Sequence, residues 1–304
     1  MGDDYEPYQW QVGDPADWGD SVGVPDIPYM GYLDDDDEDD DWRPPRRPKK
    51  TQAQIITEEA WQLRQQGRYL QALDTIKRAL LADETDPECY NVRAIIHEDL
   101  GNYEDAFIYY NRSLDIQHSQ VVVNNKALLL EKIAKCEMRN TPDKALKHIN
   151  EALKITDDDE NRKRFLITKG DILEYMGREK DGFICFLLAA NQYDKVDKVE
   201  KQTKRLENPN DTLICIAGTR FYHDHRPLND NTIVDLIRES DNINDPDAIR
   251  VEIYGKMAGS VANSPNTLVG KAKSASEIKD IIKEDQKARI LFTYIDRYVI
   301  AKLI

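Results

Sequence analysis

Residues 65–80 read Q-Q-G-R-Y-L-Q-A-L-D-T-I-K-R-A-L, and residues 99–114 return the pattern as D-L-G-N-Y-E-D-A-F-I-Y-Y-N-R-S-L. The offset of 34 residues aligns glycine with glycine, tyrosine with tyrosine and small residue with small residue. The aligned pairs are Gly67 and Gly101, Tyr69 and Tyr103, Ala72 and Ala106, Ala79 and Ser113, with Ala60 and Ala94 upstream. Glycine ends a helix without steric cost, and small residues suit positions where two helices approach closely. The two stretches therefore predict stacked helix pairs.

The period and the pattern resemble the tetratricopeptide repeat, or TPR. A looser third copy has Ala145, Ile149 and Ala152 after Asn140-Thr141-Pro142, and a fourth has Gly170, Gly177, Gly182 and Ala189 at the repeat positions. Residues 191–206 predict a polar-faced helix, which a stacked array needs at its exposed end. We expect an all-α solenoid of about four helical hairpins plus a capping helix over residues 51–206.

The resemblance implies a groove that binds a peptide or a partner protein. The groove side of the first helix in each pair would include Trp61, Asn91, Ile95, Asn124, Asn125 and Asp171. TPR domains that hold the C-terminus of a chaperone use a Lys/Asn/Arg clamp. Here the matching early positions are Thr57 and Trp61, then Asn91 and Ile95, so we do not predict that ligand.

The negative charge of the chain belongs to its first segment. Of the net charge of −15, residues 1–42 hold 15 Asp or Glu and no Lys or Arg, and residues 43–50 add five basic residues. Asp, Pro and Gly dominate residues 1–50, which predicts a disordered acidic tail followed by a basic Pro-rich linker. Seven Tyr and Trp residues are dispersed through it. A tail that binds a partner and a tail that only solubilises both remain open.

The spacing of the cysteines and the hydropathy of the chain favour a reducing compartment, the cytoplasm. Cys89, Cys136, Cys185 and Cys215 are far apart and form no C-x-x-C pair, which favours free thiols in a reducing environment. No apolar run approaches transmembrane length, and the first residues lack the basic region and apolar core of a signal peptide. We expect a cytoplasmic protein with no membrane partner.

The last third of the chain changes to strand-length apolar runs. They are residues 213–222, 232–237, 248–254, 257–261, 288–294 and 297–303, rich in Ile, Val, Leu, Tyr and Phe. Ile295-Asp296 is expected to turn the last hairpin, and the capping box Ser274-x-x-Glu277 to open a helix through Ile278, Ile281 and Ile282. About six strands and one or two short helices predict a small, mainly β, OB-like barrel over residues 207–304.

Three motifs in this barrel resemble the HIRAN domain: I-A-G-T-R-F-Y at 216–222, L-I-R-E-S-D-N-I-N-D-P-D-A-I-R-V at 236–251, and A-G-S-V at 258–261. HIRAN domains occur in DNA translocases that remodel forks, and the best understood members capture the 3′ end of single-stranded DNA. The resemblance implies a site in which Arg220 contacts phosphate and Phe221 and Tyr222 stack on bases. Asp245 would accept the hydrogen bond of the terminal 3′-hydroxyl, with Asn242 nearby.

Three positions depart from the DNA-end binders. Ile243 stands where they have Pro, Asn244 where they have an aromatic residue directly before the loop Asp, and Ser260 where they have His after Gly. Residues 207–304 also carry 13 basic and 15 acidic residues, so the domain offers no broad field that attracts phosphate. A purely protein-interaction scaffold, whose HIRAN domain binds no nucleic acid, therefore stays open beside the DNA-binding hypothesis.

The sequence gives no support for catalysis. It contains no G-x-x-x-x-G-K-[ST] phosphate loop, no helicase motif and no Cys/His zinc cluster, and His223-Asp224-His225 has no further ligand nearby in sequence. We expect no catalytic residue, no cofactor and no metal. The leading hypothesis is a non-enzymatic adaptor that couples TPR-mediated protein binding to HIRAN-mediated binding of DNA ends, in DNA repair or at stalled replication forks.

Overall fold

The computed structural model describes residues 49–208, 210–222 and 228–304. All but the last two residues of the acidic tail and linker, and His223-Asp224-His225, lie outside this part of the chain. Helices fill the first half of the described residues: α1 Gln52–Gln65, α2 Tyr69–Ala82, α3 Pro87–Asp99, α4 Tyr103–Ile116, α5 Gln120–Glu137, α6 Pro142–Ile155, α7 Asp159–Tyr175, α8 Glu179–Ala189 and α9 Tyr193–Leu206. Helices α1 to α8 form four consecutive pairs, and the single helix α9 follows them.

Local sequence signals set the ends of these helices. Thr51 forms a capping box with Gln54 at the start of α1, and the Asp86 side chain caps α3 ahead of Pro87. Gly67 ends α1 at φ +74° because a residue with a Cβ would be strained there. Arg68 N–H then bonds the Leu63 carbonyl at 2.9 Å, which satisfies a carbonyl at the helix end.

Small residues let the two helices of each pair approach. Ala60 of α1 and Ala72 and Ala79 of α2 are fully buried in one apolar cluster, which also includes Ile76 and Val92. The same pattern recurs along the array. Ala127, Ala134, Ala145, Ala152 and Ile149 bury the contact of α5 with α6. The small-residue positions in the sequence therefore mark the helix contacts, as predicted.

A closed antiparallel barrel follows the helices. Its strands are β1 Leu213–Ala217, β2 Ile233–Arg238, β3 Ile249–Ile253, β4 Lys256–Val261, β5 Lys287–Tyr294 and β6 Tyr298–Leu303, in the spatial order β1-β4-β3-β2-β5-β6. Inward residues of all strands fill the interior, and the register of β5 against β6 shifts between Ile290 and Phe292. The small barrel predicted from the apolar runs is confirmed.

Two local expectations for the barrel are wrong. The first strand ends at Ala217, and Thr219–Tyr222 forms one helical turn, α10, although Phe and Tyr favour strands. Gly218 turns the chain out of β1 at φ +77°. The second capping-box helix, α11, spans only Ala275–Ile278 and does not continue through Ile281 and Ile282. The capping box itself is present, and Glu277, bonded to the Ser274 N–H, has its pKa lowered to about 2.

Helix α9 packs against the barrel rather than closing the array towards solvent. Val199 and Leu206 of α9, with Leu187 of α8, share an apolar cluster with outward-facing barrel residues: Leu213 and Cys215 of β1, Phe292 and Tyr294 of β5, and Ile300 of β6. Thr203 Oγ1 lies 2.9 Å from the Tyr294 hydroxyl, and Glu179 accepts bonds of 2.6 Å from Arg297 and from the Tyr298 hydroxyl. The array and the barrel therefore share one core cluster.

Candidate binding surfaces

The Asx-rich loop between β2 and β3 owes its shape to Asn242. The side-chain oxygen of Asn242 accepts hydrogen bonds from the backbone N–H groups of Asn244 at 3.0 Å and Asp245 at 3.2 Å. The Asn242 amide nitrogen donates to Glu239 at 3.0 Å. Both ends of this amide are thus occupied within the loop, as in other Asx turns. The Asn242 side chain therefore stabilises the conformation of the loop next to Asp245.

Asp245 is half-buried and fixed in place. Its Oδ1 accepts the backbone N–H of Asp247 at 3.0 Å, and Asn263 Nδ2 lies 3.4 Å and 3.3 Å from the two carboxylate oxygens. A carboxylate has about four acceptor positions. Two of these contacts fall on Oδ1 and one on Oδ2. One acceptor position on Oδ2 therefore stays open. The arrangement is a rigid acceptor with capacity for one further donor.

A second layer of residues, which the sequence did not reveal, holds Asn263. The Asn263 side-chain oxygen accepts from the backbone N–H of Ser276 at 3.1 Å and from its hydroxyl at 2.7 Å. The Ser276 hydroxyl also lies 2.7 Å from Asp247, which Lys279 contacts at 2.6 Å. The hydrogen bond from Lys279 holds the pKa of Asp247 below its usual range. Sequence distances of 13 to 32 residues separate these partners, so no local motif could indicate them.

Arg220, Phe221 and Tyr222 present their side chains to solvent on α10. Phe221 is 87% exposed and Tyr222 50%. The Tyr222 ring packs over Gly218, where an added Cβ would lie 3.4 Å from it. Gly259 of β4 permits the close approach of this segment, because a Cβ there would meet the Ala217 carbonyl oxygen at 2.5 Å. The short helix α10 therefore presents two exposed aromatic rings, Phe221 and Tyr222, next to the guanidinium group of Arg220.

The structure does not bring these two groups into direct contact. Strands β1 and β4 are antiparallel, and α10 follows the end of β1 beside Gly259 of β4. Asp245 instead contacts Asn263, which lies just after the last residue of β4. Four residues of extended chain separate Gly259 from Asn263, or about 13 Å. Strand β4 therefore lies between the residue beside which α10 packs and the residue that contacts Asp245.

The residue at the position that DNA-end binders fill with Pro is fully in solvent. Ile243 is 98% exposed at the tip of the Asx-rich loop, and Asn244 beside it is also exposed. Ser260 lies within β4, paired with Ala217 on one side and Arg250 on the other. The tip of the loop therefore presents one exposed aliphatic side chain and no aromatic ring.

The predicted groove residues lie on the first helices of the pairs. Asn91 of α3 is buried, and Asn125 of α5 donates to it at 3.4 Å, so these two positions, 34 residues apart, meet across neighbouring repeats. Trp61 is half-buried under Arg64, whose guanidinium lies 4.6 Å from the ring centre. Ile95 and Asn124 are half-buried and Asp171 is exposed. The helices α1 and α3, and α5 and α7, pack against each other along this side.

Two family models match the chain. The HIRAN domain model matches residues 211–300, and a tetratricopeptide repeat model matches residues 87–118, which are α3, α4 and the residues after them. The chain contains a HIRAN domain and a TPR repeat. The resemblances seen in the sequence are thereby confirmed. No curated protein matches the chain.

Solved structures resemble the TPR part of the chain. MamA shares 15% identity and a TM-score of 0.37, covering 48% of this chain and 81% of its own. YrrB, a TPR protein described with an unusual peptide-binding site, shares 16% identity and a TM-score of 0.33, covering 47% and 78%. The pilus biogenesis factor PilW shares 22% identity and a TM-score of 0.30, covering 52% and 80%.

The two domains that the family models identify are binding domains in general. TPR repeats bind proteins, HIRAN is a nucleic-acid-binding domain, and both are generally non-catalytic. Within residues 49–208, 210–222 and 228–304 no group of three or more His, Cys, Asp or Glu side chains is placed to hold a metal ion. In the same part of the chain, no helix has the length and apolar character needed to cross a bilayer.

Proposed function

We propose that the chain is a non-enzymatic adaptor in which the TPR array, residues 51–206, binds a protein partner and the HIRAN barrel, residues 207–304, binds single-stranded DNA at its 3′ end. DNA repair or the rescue of stalled replication is the setting that such an activity serves. The groove residues Trp61, Asn91 and Ile95, with Asn124, Asn125 and Asp171, are the proposed contacts for the partner. The free thiols of Cys89, Cys136, Cys185 and Cys215 suit a reducing cytoplasm.

The exposure of Phe221 and Tyr222 carries the DNA-binding part of the proposal. Two aromatic rings adjacent in sequence face solvent on a four-residue helix, beside Arg220. Exposed apolar rings are unfavourable in water. A ligand that covers them removes this apolar surface from water and gains binding free energy. Bases stack on such rings with roughly 1–3 kcal/mol each, and the guanidinium suits phosphate.

Asp245 is the proposed reader of the DNA end. Asn263 and the Asp247 N–H hold its carboxylate in one orientation, and one acceptor position on Oδ2 stays open. A terminal 3′-hydroxyl can donate a hydrogen bond to that position. A terminal 3′-phosphate would instead bring negative charge against the carboxylate. Gly259, beside which α10 packs, and Asn263, which contacts Asp245, are about 13 Å apart along the chain, and the bound DNA is proposed to run along β4.

The experiment compares full-length protein binding to fluorescent single-stranded oligonucleotides with a free 3′-hydroxyl and with a 3′-phosphate. We expect tighter binding of the free hydroxyl, and loss of that preference in Asp245→Ala. Asp241→Ala, an exposed carboxylate of the same loop, is the matched control and is expected to keep the preference. Equal affinity for both ends in the wild-type protein would exclude 3′-end capture.

The second candidate is a protein-interaction scaffold whose HIRAN domain binds no nucleic acid. Ile243 favours it, because this side chain is 98% exposed where a DNA-end pocket has Pro, and Asn244 supplies no ring. An exposed aliphatic tip suits a protein surface. Absence of binding to either oligonucleotide at moderate salt, with the TPR array still intact, would select the scaffold.

A further inference from the structure

Two hairpin tips of the barrel have residues with a side chain in the left-handed region of backbone conformation. Tyr254 and Gly255 connect β3 to β4 with φ of +50° and +72°, and Ile295 and Asp296 connect β5 to β6 with φ of +44° and +52°. Two-residue tips with positive φ at both positions match the twist of the strands, and they favour Asn, Asp or Gly at the first position. Tyr254 and Ile295 are both unfavourable there.

Packing explains the unfavourable residue at one of the two tips. Ile295 is 8% exposed and belongs to the apolar cluster that joins the barrel to Leu187 of α8 and Val199 of α9. Burial of the isoleucine side chain offsets the strain of its backbone. At this tip the contact with the TPR array is the reason for a β-branched residue.

No comparable packing holds Tyr254. Its side chain is 97% exposed, so the protein keeps a strained backbone and an apolar ring in water at the same position. An Asn or Gly would relieve both costs without loss of a buried contact. A strained backbone conformation that no packing contact stabilises is typical of residues that contact a ligand.

Tyr254 lies at the same end of the barrel as Phe221 and Tyr222. Strand β1 runs towards this end and then leads into α10, whereas β4 begins there, directly after the Tyr254-Gly255 tip. Lys256, the first residue of β4, is three residues from Gly259, beside which α10 packs. Along an extended strand this is about 10 Å, which corresponds to about three stacked nucleotides at 3.4 Å each.

We propose that Tyr254 provides a third aromatic face for single-stranded DNA at this end of the barrel, next to Phe221 and Tyr222. The inference rests on the proposed DNA-binding function. The tip places the ring where a base beyond those held by α10 can stack on it. The site thereby extends over several nucleotides rather than one.

The test uses the full-length protein with a 5′-labelled oligothymidylate that ends in a free 3′-hydroxyl. Tyr254→Asn replaces the ring with a residue that the tip favours, and Tyr254→Phe keeps the ring as the matched control. For Tyr254→Asn we expect binding roughly five-fold or more weaker together with a higher urea midpoint of unfolding. For Tyr254→Phe we expect both quantities unchanged. A gain in stability with a loss of affinity excludes misfolding as the cause.

Two results would overturn the proposal, and they differ. If the wild-type protein binds the oligonucleotide and Tyr254→Asn binds it equally well, Tyr254 is not part of the site, while the proposed function stands. If the wild-type protein does not bind the oligonucleotide at moderate salt, the proposed function fails and the role of Tyr254 fails with it.

Discussion

Asn263 shows how single residues outside the recognised motifs prepare the proposed site. It contacts both carboxylate oxygens of Asp245 with its amide nitrogen and is itself oriented by two hydrogen bonds from Ser276. A carboxylate held in this way needs little reordering when a ligand donates to it, so more of the interaction energy appears as affinity. The fixed position of Asp245 thus depends on residues from the β4–β5 connection.

Replacement of Asn263 tests this dependence. Asn263→Ala removes the amide contact with Asp245 and leaves the backbone N–H of Ser276 without its acceptor, so we expect a loss of about 1–2 kcal/mol in the free energy of unfolding. The preference for a free 3′-hydroxyl should fall as well. Urea unfolding and oligonucleotide binding measure the two effects. Asn244→Ala, at an exposed position of the neighbouring loop, is the control, and an equal effect of both changes would contradict the role of Asn263.

At the scale of elements, a buried carboxylate joins two repeats of the array. Glu131 of α5 is fully buried and contacts Lys135 of its own helix at 2.7 Å, and Arg164 and Thr168 of α7 at 2.5 Å and 2.9 Å. Burial alone would raise the pKa of Glu131, but the bonds from these partners outweigh it and the pKa is lowered. The charge therefore stabilises the contact between the third and fourth pairs.

Glu131→Ala should lower the free energy of unfolding at pH 7 by about 2 kcal/mol, since it removes three partners from one site and leaves a cavity. A lowered pKa means that this contribution is present above the ordinary glutamate value, about 4.3, and is lost as the pH falls through the lowered pKa. Urea midpoints at pH 7 and pH 3 measure the change. Glu160→Ala, which removes an exposed pair with Lys163, is the control and should leave the urea midpoint almost unchanged.

The sequence predicts elements well where the signals are local. Gly67 and Gly101, 34 residues apart, located the helix pairs, and Ile295-Asp296 located the last hairpin, because each depends on its own backbone conformation. The helical turn Thr219–Tyr222 was missed because Phe and Tyr favour strands. In the structure Gly218 turns the chain out of β1, and Tyr222 packs over it. Residues 220–222 were nevertheless selected by the HIRAN motif, and their role in binding stays a prediction.

At the scale of the whole described chain, the TPR array and the barrel are joined through a common apolar cluster. Leu187, Val199 and Leu206 of the array cover the outer face of β1, β5 and β6. The sequence indicated α9 as a polar-faced cap, because its charged residues dominate the composition and the partner of its apolar stripe is the barrel, distant in sequence.

A truncation tests this junction. A fragment of residues 207–304 loses three apolar side chains from the cluster, each contributing roughly 1.5–3 kcal/mol, and exposes the outer face of the barrel. We expect it to self-associate and to unfold at lower temperature than a fragment of residues 178–304, which keeps α8 and α9. Size-exclusion chromatography and thermal unfolding measure the difference. Equal behaviour of the two fragments would show that the barrel needs no support from the array.

Phe221→Ala in the full-length protein tests whether the exposed rings of α10 bind single-stranded DNA. The measurement is the affinity for a fluorescent single-stranded oligonucleotide at fixed, moderate salt, with Tyr175→Ala, an exposed aromatic residue of α7, as the matched control. We expect a loss of about 1–3 kcal/mol in binding free energy for Phe221→Ala and no change for Tyr175→Ala. Unchanged affinity in Phe221→Ala would contradict this role of the rings.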